Sequence, residues 1–375
     1  VDHLTEDQIE DLARALDAIA VRVRRDLGQR DVDHLRRIVR VMRLSEATGR
    51  ALLHFGIGPV TFALGAGALG VSKILENMEI GHNVMHGQYD WTHDPELDGR
   101  AYEWDLVCDG DHWRELHNHE HHTFTNVIGR DRDVGYGFLR VTAEQPWNPS
   151  HLAQPILAVG LALAFQWGVA THALHVPETL RGEQSLRELW ARARPFLAKA
   201  ARQVGKDYVF FPLLAGLAAP RVALGNAVAN GIRNVWAFAI IFCGHFPEGV
   251  RAFHPEEIEG ETRGRWYLRQ ILGSANIEGG RWLDLLSGHL SHQIEHHLFP
   301  DLPASRYPEI AGEVRAICAR FGIPYQTGSL GRQIASVARQ IVVHALPTRS
   351  LRRDAISSPG TARRSPARPI ATQAA

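Results

Sequence analysis

Cysteine is scarce in this chain of 375 residues: Cys108, Cys243 and Cys318 are the only three, and no C-x-x-C pair occurs. That excludes a disulfide framework, a zinc ribbon and a cysteine-held iron–sulfur cluster. An excess of charge is lacking too, with 41 Lys and Arg against 41 Asp and Glu, so nothing marks a nucleic-acid partner. There is no His-Pro-Gly-Gly haem motif. Gly65, Gly67 and Gly70 match G-x-G-x-x-G, but no strand pattern precedes them and their surroundings are apolar, so they form no nucleotide loop. Close helix contact accounts better for such small residues. The opening, residues 1–28, is charged and amphipathic, without the apolar core or cleavage site of a secretory signal, so export is not expected.

Long apolar runs are few. Residues 55–71 make the best membrane-span candidate, 17 residues with Thr61 as the only polar side chain, close to the ~20 that cross a hydrocarbon core. Pro59 leaves open a second reading, a hairpin over 43–72. Shorter stretches follow at 155–165, 209–220 and 235–244, interrupted by Gln166, Arg221 and Arg233. About four crossings are expected, near 51–72, 153–175, 208–226 and 229–246. The fold class is all-α, a helical membrane stem carrying a water-facing helical cap built from 73–150 and 247–344.

The chain divides into three parts. In 1–45, Thr5 with Gln8 reads as a capping box before Ile9, Leu12, Leu16, Ile19 and Val23 at helical spacing. A second helix begins near Asp33, with Leu35, Ile38, Val39 and Met42 on one side and Arg36, Arg37, Arg40 and Arg43 around it. Either it lies on an anionic membrane surface or it is a bundle helix with a solvated basic face. Residues 46–344 form the membrane domain. In 345–375, Arg349, Arg352, Arg353, Arg363, Arg364 and Arg368 face one acid, Asp354, with no apolar period, as in a disordered tail. Contact with anionic lipid is one reading of that tail, and simple solvation the other.

What stands out is histidine: 21 residues, clustered at 82–93, 112–122 and 289–297. His82 and His86, and again His117 and His121, stand four apart, on one face of an α-helix. His122 sits about 100° further round. His296 and His297 repeat this adjacent pair, and diverging neighbours can serve two metals. A structural zinc takes four ligands and a catalytic zinc three, whereas these clusters offer at least seven imidazoles, so a two-metal site fits better. Imidazole suits Zn, Cu, Fe and Ni alike. The soluble di-iron carboxylate bundles need paired Glu-x-x-His motifs, and only Glu79 with His82 has that spacing.

The pattern H-x-x-x-H, H-x-x-x-H-H and Q-x-x-H-H, with apolar segments between the second and third boxes, resembles the membrane fatty acid desaturase family. Residues 80–88 (IGHNVMHGQ), 242–247 (FCGHFP) and 293–300 (QIEHHLFP) are similar to its actinobacterial acyl-CoA desaturase branch, and the likeness covers roughly residues 10–330. It implies a mushroom-shaped fold, a cytosolic cap on a membrane stem, and two irons held by His82, His86, His117, His121, His122, His296 and His297. It adds His245, an extra histidine between the second and third boxes. The ninth ligand position stays open between Gln293, which family spacing selects, and His292, which stands four before His296. His119, His93, His112, His172, His175, His254 and His289 are expected not to ligate.

Glu79, Asp90, Asp131, Asp133, Glu295 and Asp301 are candidates to accept the second ring N–H of a liganding histidine. Trp91, Trp104 and Trp113 are candidates for lining an acyl tunnel or for a membrane-interface belt. The resemblance further implies a long-chain fatty acyl substrate, O2 as co-substrate and electrons from a ferredoxin-like protein or NAD(P)H flavoprotein reductase. The product would carry a cis double bond. The location implied is the cell membrane, multi-pass, with the site on the cytoplasmic side. Two alternatives are a fatty acid or alkane hydroxylase using the same irons, and a non-catalytic membrane metal transporter or sensor.

Overall fold

The computed structural model describes residue 1 and residues 3–347; the Arg-rich stretch from 348 onward lies outside the described residues. Helices dominate, and the described strands are Asn276–Glu278 and Thr327–Ser329, a short parallel pair with Asn276 opposite Thr327.

The first helix runs Glu6–Arg25 with its Thr5–Gln8 capping box formed, and Ile9, Leu12, Leu16, Ile19 and Val23 are all buried. Their partners include Tyr267, Phe299, Leu302 and Ile310, so this helix closes the core of the cap. The second helix starts at Gln29, earlier than Asp33, and runs unbroken to Phe55, leaving no boundary at residue 45. Its Leu35 and Ile38 pack on Leu75, Ile80 and Val84, which favours the bundle reading. Asp31 anchors it to the cap through a buried two-point pair with Arg306 (Nε–Oδ1 2.5 Å, Nη2–Oδ2 3.0 Å).

Gly56 to Gly58 breaks the chain direction, with Gly58 at φ 82° and Pro59 in the first turn of the next helix. The second reading, a hairpin over 43–72, is the one that forms, and the span begins at Gly58 instead of 51. Gly49 and Gly65 let its two arms touch, since a Cβ on Gly49 would lie 2.8 Å from the Gly65 carbonyl.

Among the described residues two helices are long and apolar enough to cross a membrane, Gly58–Met85 and Gly216–His245. Pro149–Leu163 and Phe165–His172, bent by 101° between them, make a third if taken as one span, so by length and composition two or three are found where about four were expected. The stretch 208–226 is not a span of its own. Its first part ends a helix that begins at Leu186, the chain turns at Ala215 and Gly216, and the rest opens the Gly216–His245 helix. Phe55, Ile57, Leu213 and Leu217 crowd the exposed turns at this end, as expected for a tip immersed in lipid. At the opposite end both spans deliver histidines: His82 near the end of the first, His245 as the last residue of the second.

Candidate metal centre

The first two boxes are carried by irregular helices, the third by the short α-helix Gln293–Leu298. Residues 75–82 and 114–121 are wound as π-helix, a form whose hydrogen bonds run from i to i+5 and which concentrates at functional sites. In the second box the His122 N–H reaches the His117 carbonyl, so these two stand in register on one side. The outcome goes beyond the α-helical expectation: His117 and His122 reach one group of imidazoles and His121 another, while His117 and His121 stay stacked, ring centroids 5.1 Å apart, with Asp133 beside both.

The first group is His82, His86, His117 and His296, whose ligand atoms all lie within 4.8 Å of one another. The second is His121, His245 and His297 within the same limit. His122 lies between them, its ring centroid 4.7 Å from His86, 4.8 Å from His296 and 4.4 Å from His297. The adjacent pair His296 and His297 divides as its spacing implied, with ring planes 86° apart.

Gln293 and His292 go separate ways. The Gln293 amide lies 3.0 Å from His245 Nε2, and its Oε1 is buried without a hydrogen-bond partner. His292 faces Asp284 (3.5 Å) in a surface cleft, outside both groups. Gly244 makes the room for Gln293, because a Cβ there would come within 3.0 Å of its Cγ, Cδ and Oε1. His119 is exposed and belongs to no cluster.

Hydrogen bonds hold the outer nitrogen of several rings. His121 Nδ1 donates to Asp131 Oδ2 (3.0 Å), His297 Nδ1 to Gln270 Oε1 (3.0 Å), and His82 Nδ1 to Asn83 Oδ1 (3.0 Å). His296 Nδ1 stands 3.5 Å from the Tyr307 hydroxyl, and His117 Nδ1 3.7 Å from Asp133. Fixing Nδ1–H leaves the Nε2 lone pair pointing inward. The Nε2 atoms of His82, His86, His117 and His296, and both nitrogens of His122, are buried with no partner. Leaving such atoms unmet costs about 1–3 kcal/mol each, and a cation among them removes that cost. Burial, reinforced by neighbouring imidazoles, holds His86, His122, His296 and His297 well below the ordinary imidazole pKa, so they are neutral with lone pairs free. Burial lowers His121 as well, but Asp131 outweighs it and raises the group overall.

Of the carboxylates expected to support ligands, Asp131 does so directly and Asp133 at longer range. Glu79 binds His34 (3.1 Å) and His289 (2.9 Å). Glu295 binds Asn276 and Tyr325, each at 2.8 Å, and burial pushes its carboxyl up to about 7. Asp90 accepts from the Gly99 N–H, and Asp301 pairs with Arg24 at the surface. Sequence reasoning missed Gln270 and Thr125 beside His297 and Tyr307 beside His296. Only Thr125, four residues after His121, carried a local hint.

A cavity opens from the histidines into the stem, walled by Met78, Trp104, Leu106, Trp113, Phe165 and Ile241. Trp104 and Trp113 thus line it, and Trp91 does not.

Fold and site together define a helical membrane protein with a histidine-lined metal site against an apolar cavity. The profile of a family described as "Fatty acid desaturase" matches residues 57–329. The chain is 47% identical over 363 residues to the NADPH-dependent stearoyl-CoA 9-desaturase of Mycobacterium tuberculosis, covering 96% of this chain and 85% of that protein. It is 26% identical over 310 residues to the sn-1 linoleoyl-lipid 6-desaturase of Synechocystis, covering 80% and 85%. With Fatty acid desaturase 3 of Homo sapiens it shares 24% over 307 residues, covering 77% and 63%. The chain belongs to the fatty acid desaturase family, and it is an oxidoreductase of that family.

Proposed function

We propose that the chain is an acyl-CoA desaturase that holds two irons. One iron would sit among His82, His86, His117, His122 and His296, the other among His121, His245 and His297 with Gln293 beside it. The observation that carries this reading is the gathering of imidazoles into two adjoining groups, with unmet nitrogens on His82, His86, His117, His122, His245 and His296. An all-imidazole set suits iron, and the donor count exceeds what one zinc takes.

When bound, the irons would supply, with O2 and two electrons, the oxidising power that removes two hydrogens from adjacent methylenes. The balance is one saturated chain, O2, two electrons and two protons giving one unsaturated chain and two waters. The protein's part is placement, because nothing chemical distinguishes one methylene from the next. Met78, Trp113, Leu116 and Ile241 hold the chain dry beside the histidines. Asp131, Gln270 and Asn83 keep the rings aimed inward.

The mycobacterial relative is named for stearoyl-CoA and NADPH, which supports a C18 acyl-CoA substrate here. No nicotinamide motif occurs, so the electrons come through a separate reductase. The site then faces the cytoplasm, where acyl-CoA and reductase are found.

The test is incubation of the detergent-purified chain with stearoyl-CoA, NADPH, a ferredoxin-type reductase system and O2, followed by mass spectrometry. A product lighter by two hydrogens supports the reading. A product heavier by one oxygen would make the chain a hydroxylase instead.

A further inference from the structure

The cavity is apolar along its walls and polar at its deep end. On the second span Ala237, Ile241 and His245 recur at intervals of four, so they line it as one stripe, with Asn234 and Arg233 at its foot. From Arg233 to His245 is 12 residues, about 18 Å of helix rise. Asn77 reaches the same end from the first span, and Gln166 from the bent helix that follows Ala164.

These four side chains are all at least nine-tenths buried: Asn77 at 8%, Gln166 at 5%, Arg233 at 1% and Asn234 at 4% exposure. They are also poorly satisfied. Among the described residues no carboxylate lies within ion-pair distance of Arg233, whose guanidinium donates only to the neighbouring Asn234 Oδ1 (Nη2–Oδ1 3.0 Å). The Gln166 Oε1 has no partner, and no protein group hydrogen-bonds the Asn77 amide. Asn234 is the exception: its Nδ2 donates to the Leu163 carbonyl (2.8 Å), exposed by the helix break, which fixes the bent helix against the span. The carboxylates that act on Arg233, Glu76 foremost, do so from beyond ion-pair distance, and a charged side chain inside a membrane stem without a directly paired counter-ion is costly and marks function.

We propose that Arg233, with Asn77, Gln166 and Asn234, is the chain-length stop of the acyl cavity, and that it acts by polarity, not by bulk. The proposal rests on the acyl desaturase reading above. The polar atoms at the floor draw water or one another as partners. A chain long enough to press its methyl end on them must strip those partners without replacing them. Each group so stripped lowers the fit of the longer chain by about tenfold or more. A wall stopping the chain by size alone would respond only to changes of volume.

That difference sets the experiment. Gln166→Met and Asn77→Leu keep side-chain size and remove polarity, whereas Arg233→Met removes the charge and also shortens the side chain. The full-length chain and each variant are purified in detergent and assayed for bound metal. They then compete saturated C16, C18, C20 and C22 acyl-CoA with the reductase system and O2, with products read by mass spectrometry. The expected result, at undiminished metal content, is a rise of about tenfold in the C22 to C18 product ratio for Arg233→Met and smaller rises in the size-matched Gln166→Met and Asn77→Leu, whose response separates polarity from bulk. Should Arg233→Met fail to fold, Gln166→Met and Asn77→Leu carry the test, with smaller rises expected. An unchanged ratio in metal-replete, active variants would overturn the stop. No desaturation of any chain by the unmodified protein would instead sink the desaturase reading.

Discussion

His122 hydrogen-bonds through its backbone to the carbonyl of His117, five residues earlier, and so shares a side of the helix with it, while His121 also joins His245 and His297. This i to i+5 winding lets one short segment supply two groups of imidazoles at once.

The first prediction concerns that segment. His121→Ala removes a member of the second group and should lower turnover at least about a hundredfold while reducing bound metal. His119→Ala, on the exposed side, should leave most of both. Metal analysis and product formation on the two variants check this, and equal losses would contradict the winding argument.

Asp131 accepts from both His121 Nδ1 and the Asn126 N–H, so one carboxylate holds the ring and the following turn. Asp131→Asn should weaken metal retention by about 10–100-fold, measured by competition with a chelator. Asp301→Asn, which breaks only a surface pair with Arg24, should change nothing measurable there.

The placement of Gln293 depends on the bare α-carbon of Gly244. Gly244→Ala should therefore push the amide away from His245 and reproduce the loss of activity expected in Gln293→Ala. His292→Ala should keep its metal, because His292 lies in a surface cleft beside Asp284. Metal loss in His292→Ala with retention in Gln293→Ala would reverse the assignment.

Much of this site was legible in sequence because adjacent histidines must diverge and because the boxes recur. His82, His86, His117, His122, His245, His296 and His297 come together as their spacing and the family likeness implied. The split between His117 and His121 was not legible, since π-winding depends on tertiary packing. Gln270 was equally hidden, 27 residues from the ring it holds. The membrane stem was read less well. Apolar composition at 208–226 does not distinguish a crossing from a turn between two helices, and only Gly216 and Pro220 mark the break.

Removing metal should destabilise the cap. The unmet nitrogens gather rings from both spans, the intervening second box and the helix at 293–298, so a bound ion joins distant parts of the chain. A ligand present at 1,000 times its dissociation constant stabilises by about 4 kcal/mol. Chelation should therefore lower the melting temperature by several degrees, and iron should restore it.

The most direct test of the central claim is the metal content of the purified full-length chain, by elemental analysis alongside protein concentration. The account predicts two irons per chain, with clear losses in His121→Ala and in His86→Ala. A single zinc, or a folded chain that desaturates without bound iron, would contradict it.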